Sequence, residues 1–238
     1  MRLALTSGEE TMLRTPTIIV NFKAYKESLG KKATELAKIA EEVSNELNVS
    51  IAVAPQTADL RSVVSAVSIP VFAQAVDSVA VGALTGYITI ESIKDAGAIG
   101  TIINHSERRI QISLISEVVK VSRDLNLVTV VCADTPEVTA AAAALNPDFV
   151  AIEPPELIGT GIPVSKARPE VVTNSLEQVR RVNSTSKVIC GAGITTGDDV
   201  RAALKLGTVG VLLASGVVKA KDPKKVLTEM GNALIESL

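Results

Sequence analysis

Thr101-Ile102-Ile103-Asn104-His105-Ser106-Glu107-Arg108-Arg109 is a β-branched run that breaks into densely polar sequence, and residues 112–125 after it carry helical apolar spacing. Strand, polar turn and amphipathic helix make one unit, and the unit recurs along the chain. Aliphatic runs predict strands at 17–21, 50–54, 71–74, 101–104, 128–133, 149–152, 187–190 and 209–213. The spacing predicts helices over 31–48, 112–125, 170–182, 198–206 and 223–237, with weaker patterns at 59–67, 90–96 and 136–144. Gly207 is placed to stop the helix before it.

Strands that alternate with helices pair in parallel through right-handed crossovers. Eight such units in 238 residues match the size of a closed (β/α)8 barrel, a single α/β domain over residues 16–238. An open doubly wound sheet is the alternative, but no strand is followed by G-x-G-x-x-G. Residues 1–15 carry Ser, Gly, Glu and Thr where a signal peptide needs an apolar run. They are expected to form a flexible N-terminal extension, with Met12 as an alternative start.

Composition agrees with a barrel. The chain is 47% hydrophobic but only 2% aromatic, with no Trp, so the core must be aliphatic, as in a buried parallel sheet. The net charge of −2 and the lack of a Lys/Arg block argue against a nucleic-acid or anionic-membrane surface. No apolar stretch approaches the roughly 18 residues of a membrane span. Cys132 and Cys190 lie far apart, each at the end of an apolar run, and read as core thiols of a reducing, cytoplasmic compartment. No metal cluster or cofactor motif is expected from the sequence.

In such a barrel, functional residues come from the C-terminal ends of strands and the loops beyond them. Those places hold Asn21-Phe22-Lys23-Ala24-Tyr25, His105-Ser106-Glu107, Glu153-Pro154-Pro155-Glu156-Leu157-Ile158-Gly159-Thr160-Gly161, Gly191-Ala192-Gly193-Ile194-Thr195 and Ala214-Ser215-Gly216. His105 is the only histidine, hence the only side chain with an unperturbed pKa near neutrality. A lysine past a strand is usually solvated, a glutamate there is often a cap, and a glycine is often only a turn. Together they supply a cation, a neutral-range titrating group, a carboxylate and a glycine-rich anion cradle after the last two strands. That inventory suits proton transfer on a small phosphorylated carbonyl compound; a Schiff base on Lys23 is the competing use.

These segments, in this order and spacing from about residue 16 onward, resemble the triosephosphate isomerase family, in its shorter archaeal type. The resemblance implies a cofactor-free isomerase that interconverts dihydroxyacetone phosphate and glyceraldehyde 3-phosphate. It implies Glu153 as the base, His105 as the electrophile, Lys23 as an electrostatic partner, Asn21 as an orienting group and Glu107 hydrogen-bonded near Lys23. Glu156, three residues from Glu153, is the rival base, though it belongs to the following loop rather than the strand end. Ile158, Gly159, Gly193, Ala214 and Ser215 would bind the substrate phosphate together with Asn21 and Lys23. The family is itself the known case of a histidine kept neutral by a helix N-terminus under a water-excluding lid. The implied counterparts are a helical turn over 106–109 and a lid over 154–161.

The loop Val81-Gly82-Ala83-Leu84-Thr85-Gly86-Tyr87 resembles the family's intersubunit loop, with Thr85 reaching a neighbouring site. A homotetramer is expected, with a homodimer as the alternative. Ala75 departs from the pattern, where an Asn or His is expected at the interface. Two other classes use the same parts: an aldolase or other lyase with a Schiff-base lysine, and a non-catalytic phosphometabolite sensor. A sensor has no need of a base.

Overall fold

The computed structural model describes residues 13–157 and 160–237. Eight parallel strands form one sheet: β1 (Thr17–Asn21), β2 (Ser50–Ala54), β3 (Phe72–Ala73), β4 (Gly100–Ile103), β5 (Val128–Ala133), β6 (Phe149–Ile152), β7 (Lys187–Cys190) and β8 (Gly210–Leu213). Their order is β2-β1-β8-β7-β6-β5-β4-β3. The two ends of that order meet through a parallel bridge between Val53 and Val71, where Val53 N–H donates to the Pro70 carbonyl at 3.0 Å. The sheet therefore nearly closes into a barrel, the single-domain (β/α)8 fold expected from the strand–helix repeat.

Helices follow the strands on the outside: α1 (Lys31–Leu47), α2 (Leu60–Val64), α3 (Ile90–Asp95), α4 (Ile112–Asp124), α5 (Pro136–Ala143), α6 (Val164–Ala167), α7 (Pro169–Val182), α8 (Gly197–Lys205), α9 (Ser215–Val218) and α10 (Pro223–Ile235). Side-chain caps start several of them. Thr89, Thr135 and Asp222 accept from the N–H of Ser92, Val138 and Lys225, and Thr196 with Asp199 forms a reciprocal capping box. Asparagines in the left-handed region (Asn48, Asn126 and Asn146) turn the chain after α1, α4 and α5. The four-residue helices α6 and α9 are too short to carry periodicity, so the sequence pattern does not reveal them. No helix among the described residues is long and apolar enough to cross a membrane.

The pleat sorts each strand into two faces. Ile19, Ala52, Phe72, Ile102, Val130, Cys132, Ala151, Ile189 and Leu212 pack inside the barrel. Their neighbours Ile18, Val20, Ile103, Val131, Val150, Ile152, Val188 and Val211 pack outward against the helices. Both faces are dry, which is why each strand reads as an unbroken apolar run. Leu13 is 3% exposed and joins the inner cluster. The barrel thus takes in a side chain that the boundary at residue 16 assigned to the extension, because an aliphatic group beside the barrel floor gains by burial. Residues 1–12 lie outside the described residues.

Candidate active site

The same alternation aims residues at the barrel mouth. Phe149 and Ala151 face inward on β6, so the next inward position is Glu153, just past the strand and 5% exposed. Its N–H donates to the Ala133 carbonyl at 2.7 Å, continuing the ladder with β5. Beneath it on β5 lies Cys132, whose thiol is pushed well above its ordinary range by burial first and by the neighbouring Glu153 carboxylate second. Gly191, past β7, leaves the room this carboxylate occupies: a Cβ there would lie 2.2 Å from Glu153 Cγ.

His105 follows β4. Strict alternation from Ile102 inside and Ile103 outside would turn it toward the helices. Asn104 breaks the alternation with φ +60° and is fixed there by its own side chain, whose Nδ2 donates to the Cys132 carbonyl and whose Oδ1 accepts from Ile110 N–H. His105 is thereby brought into the mouth and is 7% exposed. The expected helical turn over 106–109 is instead a hydrogen-bonded turn, with Arg108 N–H donating to the His105 carbonyl at 2.7 Å. One such bond closes a single turn, and the chain is extended again at Gln111, which opens α4. The turn nevertheless aims Glu107 N–H at His105 Nδ1, at 3.2 Å. With Nδ1 placed to accept, Nε2 is the ring's donor toward the cavity. Nε2 lies 3.8 Å from Glu153 Oε2.

Lys23, at φ +46°, is held by Asn21, whose Oδ1 accepts Lys23 N–H at 2.9 Å. Gln74 grips the same turn, donating to the Lys23 and Ala54 carbonyls at 3.1 and 2.9 Å. Lys23 Nζ reaches across the mouth to Glu107 Oε1 at 2.8 Å. Three residues from three sheet positions thus converge on one cavity, with Asn21 beside them. Non-glycine residues at positive φ cluster here (Lys23, Asn104 and Ala192), as backbone strain tends to do at functional sites.

The opposite wall is backbone. Gly193, Ile194, Ala214 and Ser215 line the cavity, and among the described residues none of their N–H groups donates to a protein acceptor. Gly193 sits at φ +74° with no space for a side chain, because a Cβ would come 2.0 Å from the Ile162 carbonyl oxygen. Such a row of unused amides is an arrangement that can receive an anion. Tyr25, Ala192 and Thr195 also line the cavity; the sequence placed them in its strand-end segments without giving them a role. Glu156 is exposed and pairs with Arg168 Nη1 at 2.6 Å, away from this convergence. Ile158 and Gly159, expected at the phosphate, lie outside the described residues. Thr85 is exposed on its loop and reaches none of these groups within the chain.

The chain was compared with known proteins. The family model described as Triosephosphate isomerase matches residues 16–232. The chain is 55% identical over 215 residues to the triosephosphate isomerase of Methanothermus fervidus, covering 90% of this chain and 97% of that one. It is 53% identical over 213 residues to the enzyme of the same name from Methanocaldococcus jannaschii, covering 90% and 97% of the two chains. Against the one from Methanothermobacter thermautotrophicus it is 54% identical over 216 residues, covering 91% and 94%. The chain belongs to the triosephosphate isomerase family.

Proposed function

We propose that this protein interconverts dihydroxyacetone phosphate and D-glyceraldehyde 3-phosphate, the family's reaction, with Glu153, His105 and Lys23 as its catalytic residues. The phosphate dianion seats on the N–H groups of Gly193, Ala214 and Ser215, joined by those of Ile158 and Gly159 when the lid closes. Seating fixes the carbonyl oxygen toward His105 Nε2 and Lys23 Nζ. Glu153 then takes a proton from the carbon beside the carbonyl. The C–H electron pair becomes the second carbon–carbon bond of an enediolate, and the carbonyl π pair moves onto oxygen. His105 donates Nε2–H to the oxygen where charge develops, and Lys23 stabilises the same charge without a covalent bond. His105 passes that proton to the oxygen and takes one from the hydroxyl on the adjoining carbon, restoring Nε2–H. As that O–H electron pair forms the new carbonyl, protonated Glu153 returns its proton to the former carbonyl carbon, leaving the aldose phosphate.

The observation that carries this reading is the convergence of a buried carboxylate and the imidazole Nε2 at 3.8 Å, facing a row of unused amides. A base, a donor and an anion cradle are what an enediolate pathway needs. Lys23 Nζ pairs with Glu107 Oε1 at 2.8 Å, a contact that suits an electrostatic role over a Schiff base. A coupled assay of triose phosphate interconversion tests the reading. Turnover in the full-length chain that is lost in Glu153→Gln supports it, and a folded, inactive wild-type chain overturns it.

We further propose self-association through the loop 81–87, as a homotetramer with a homodimer as the alternative, in the cytoplasm. Val81, Leu84 and Tyr87 are 69, 41 and 53% exposed on this one loop, a composition that favours a partner surface over water.

A further inference from the structure

Asp199 on α8 is 2% exposed, yet it lies one layer behind a cavity that receives a dianion. Burying a carboxylate there needs a reason, because an uncompensated charge is costly and would repel the phosphate. Its Oδ2 accepts from Thr195 N–H at 3.0 Å, Thr195 Oγ1 at 3.1 Å and Thr196 N–H at 2.9 Å. Its Oδ1 accepts from Lys166 Nζ at 2.6 Å. Burial alone would raise the carboxyl's pKa; Lys166 and the two threonines more than offset this and hold it below its ordinary range.

The two ends of this network belong to the two parts that must meet the phosphate. Thr195 lines the cavity and follows the cradle residues Gly193 and Ile194. Lys166 lies on α6, the first helix after the lid segment. Two more contacts tie the same pieces together. Val164 N–H donates to the Ala192 carbonyl at 3.4 Å, and the Ile162 and Pro163 backbone packs against Gly193 with no room for a Cβ. A serine or asparagine could satisfy the threonine amides without a charge. The Oδ2 contacts serve the N-terminus of α8, which also favours a charge; the Oδ1 contact to Lys166 lies outside that cap.

We infer that Asp199 and Lys166 form a positioning brace that holds the 192–196 loop in its phosphate-receiving conformation and ties the lid's exit to it, so that phosphate seating and lid closure occur together. Neither residue lines the cavity. They act through Thr195 and α6, and the inference rests on the isomerase reading above. An unbraced lid leaves the enediolate exposed to water for longer. Its electron pair can then expel phosphate as the C–O bond breaks, leaving a dicarbonyl.

Lys166→Met, Lys166→Arg, Asp199→Asn and Lys166→Met/Asp199→Asn test this in the full-length chain. The readouts are kcat, KM, the affinity for inorganic phosphate and the fraction of turnovers that release phosphate. Lys166→Met is expected to lower kcat about tenfold and to raise the eliminated fraction several-fold, since small misplacements carry such costs. Lys166→Arg should restore both to within about twofold of wild type, and the double variant should be no worse than the worse single one, as for residues acting as one unit. Lys166 is half exposed, but Lys166→Met leaves Asp199 buried without its counter-charge. Thermal unfolding is therefore read on every variant, and Lys166→Arg, which keeps the charge, holds the test if Lys166→Met fails to fold. Lys166→Met at wild-type kcat and eliminated fraction in an active enzyme overturns the brace alone. Equal impairment in Lys166→Met and Lys166→Arg, or full additivity in the double variant, does the same. Absence of interconversion in the wild type overturns the isomerase reading instead.

Discussion

His105 Nε2 and Glu153 Oε2 face each other across 3.8 Å with no hydrogen bond between them, and Glu153 Oε2 has no partner among the described residues. With no protein donor on Glu153 Oε2, the carboxylate is open on the side where a substrate C–H would lie, while the imidazole faces the substrate oxygen.

Replacement of Glu153 by Gln keeps the shape and removes the proton acceptor. Turnover is expected to fall by about 10²–10⁴, the usual worth of a positioned base, with thermal stability unchanged or raised because a buried charge is lost. Glu156→Gln removes only an exposed pair with Arg168 and should leave kcat within about twofold, as surface ion pairs contribute little. Steady-state kinetics on the two variants decide between the carboxylates. A crippled Glu156→Gln beside a mild Glu153→Gln reverses the assignment.

Gly191→Ala probes how finely that carboxylate must be placed. The three heavy atoms nearest a Cβ at this position all belong to the Glu153 side chain, and the backbone there is not in the left-handed region. The methyl group therefore acts on the carboxylate and little else. A displacement of about 1 Å is expected to cost roughly 10² in kcat while KM changes little, since the amides of Gly193, Ala214 and Ser215 are untouched. Unchanged kcat would show that the base tolerates a shifted position.

The sequence made the strands legible because both faces of each are apolar and the runs are bounded by polar turns. The bounds of β1, β2, β5, β6 and β7 coincide with the aliphatic runs. β3 was harder, reduced to Phe72–Ala73 with a single bridge from Val71 to Val53 closing the barrel, and no propensity encodes such a seam. At the site, charge and glycine patterns pointed to Lys23, His105, Glu153 and Gly193. What remained hidden depends on backbone geometry or on distant sequence. Ala192 at φ +66° gives no compositional hint of a left-handed residue. Gln74 grips the Lys23 turn from 51 residues away, and Asp199 reads only as the first turn of a helix.

Asp199 also predicts a pH dependence of stability. Its carboxyl is held below the ordinary range, so the native state gives up the proton at lower pH than the unfolded chain does. Stabilisation is fully present above the unfolded value of about 3.9 and is lost as pH falls from there through the lowered native value. Asp199→Asn removes this linkage. Urea unfolding at neutral pH should find wild type the more stable. Below about pH 4 its stability should fall more steeply with acid than that of the variant. Parallel acid limbs in the two proteins would exclude the ionised carboxylate as the source.

Assembly is tested on the loop 81–87. Leu84→Lys and Tyr87→Lys place charge on side chains that are 41 and 53% exposed in the single chain, where they support no core. Substitutions on an open surface usually change stability by no more than about 0.5 kcal/mol, whereas a charge buried in an interface opposes association. Light scattering of wild type is expected to give a tetramer, and the variants a smaller species with reduced turnover, because Thr85 on the same loop would no longer border a neighbouring cavity. Deletion of residues 1–12, which keeps the buried Leu13, should alter neither the number of subunits nor activity, as the family match begins at residue 16. A fully active wild-type monomer would refute the interface, and loss of assembly in the truncated chain would assign the first twelve residues to it.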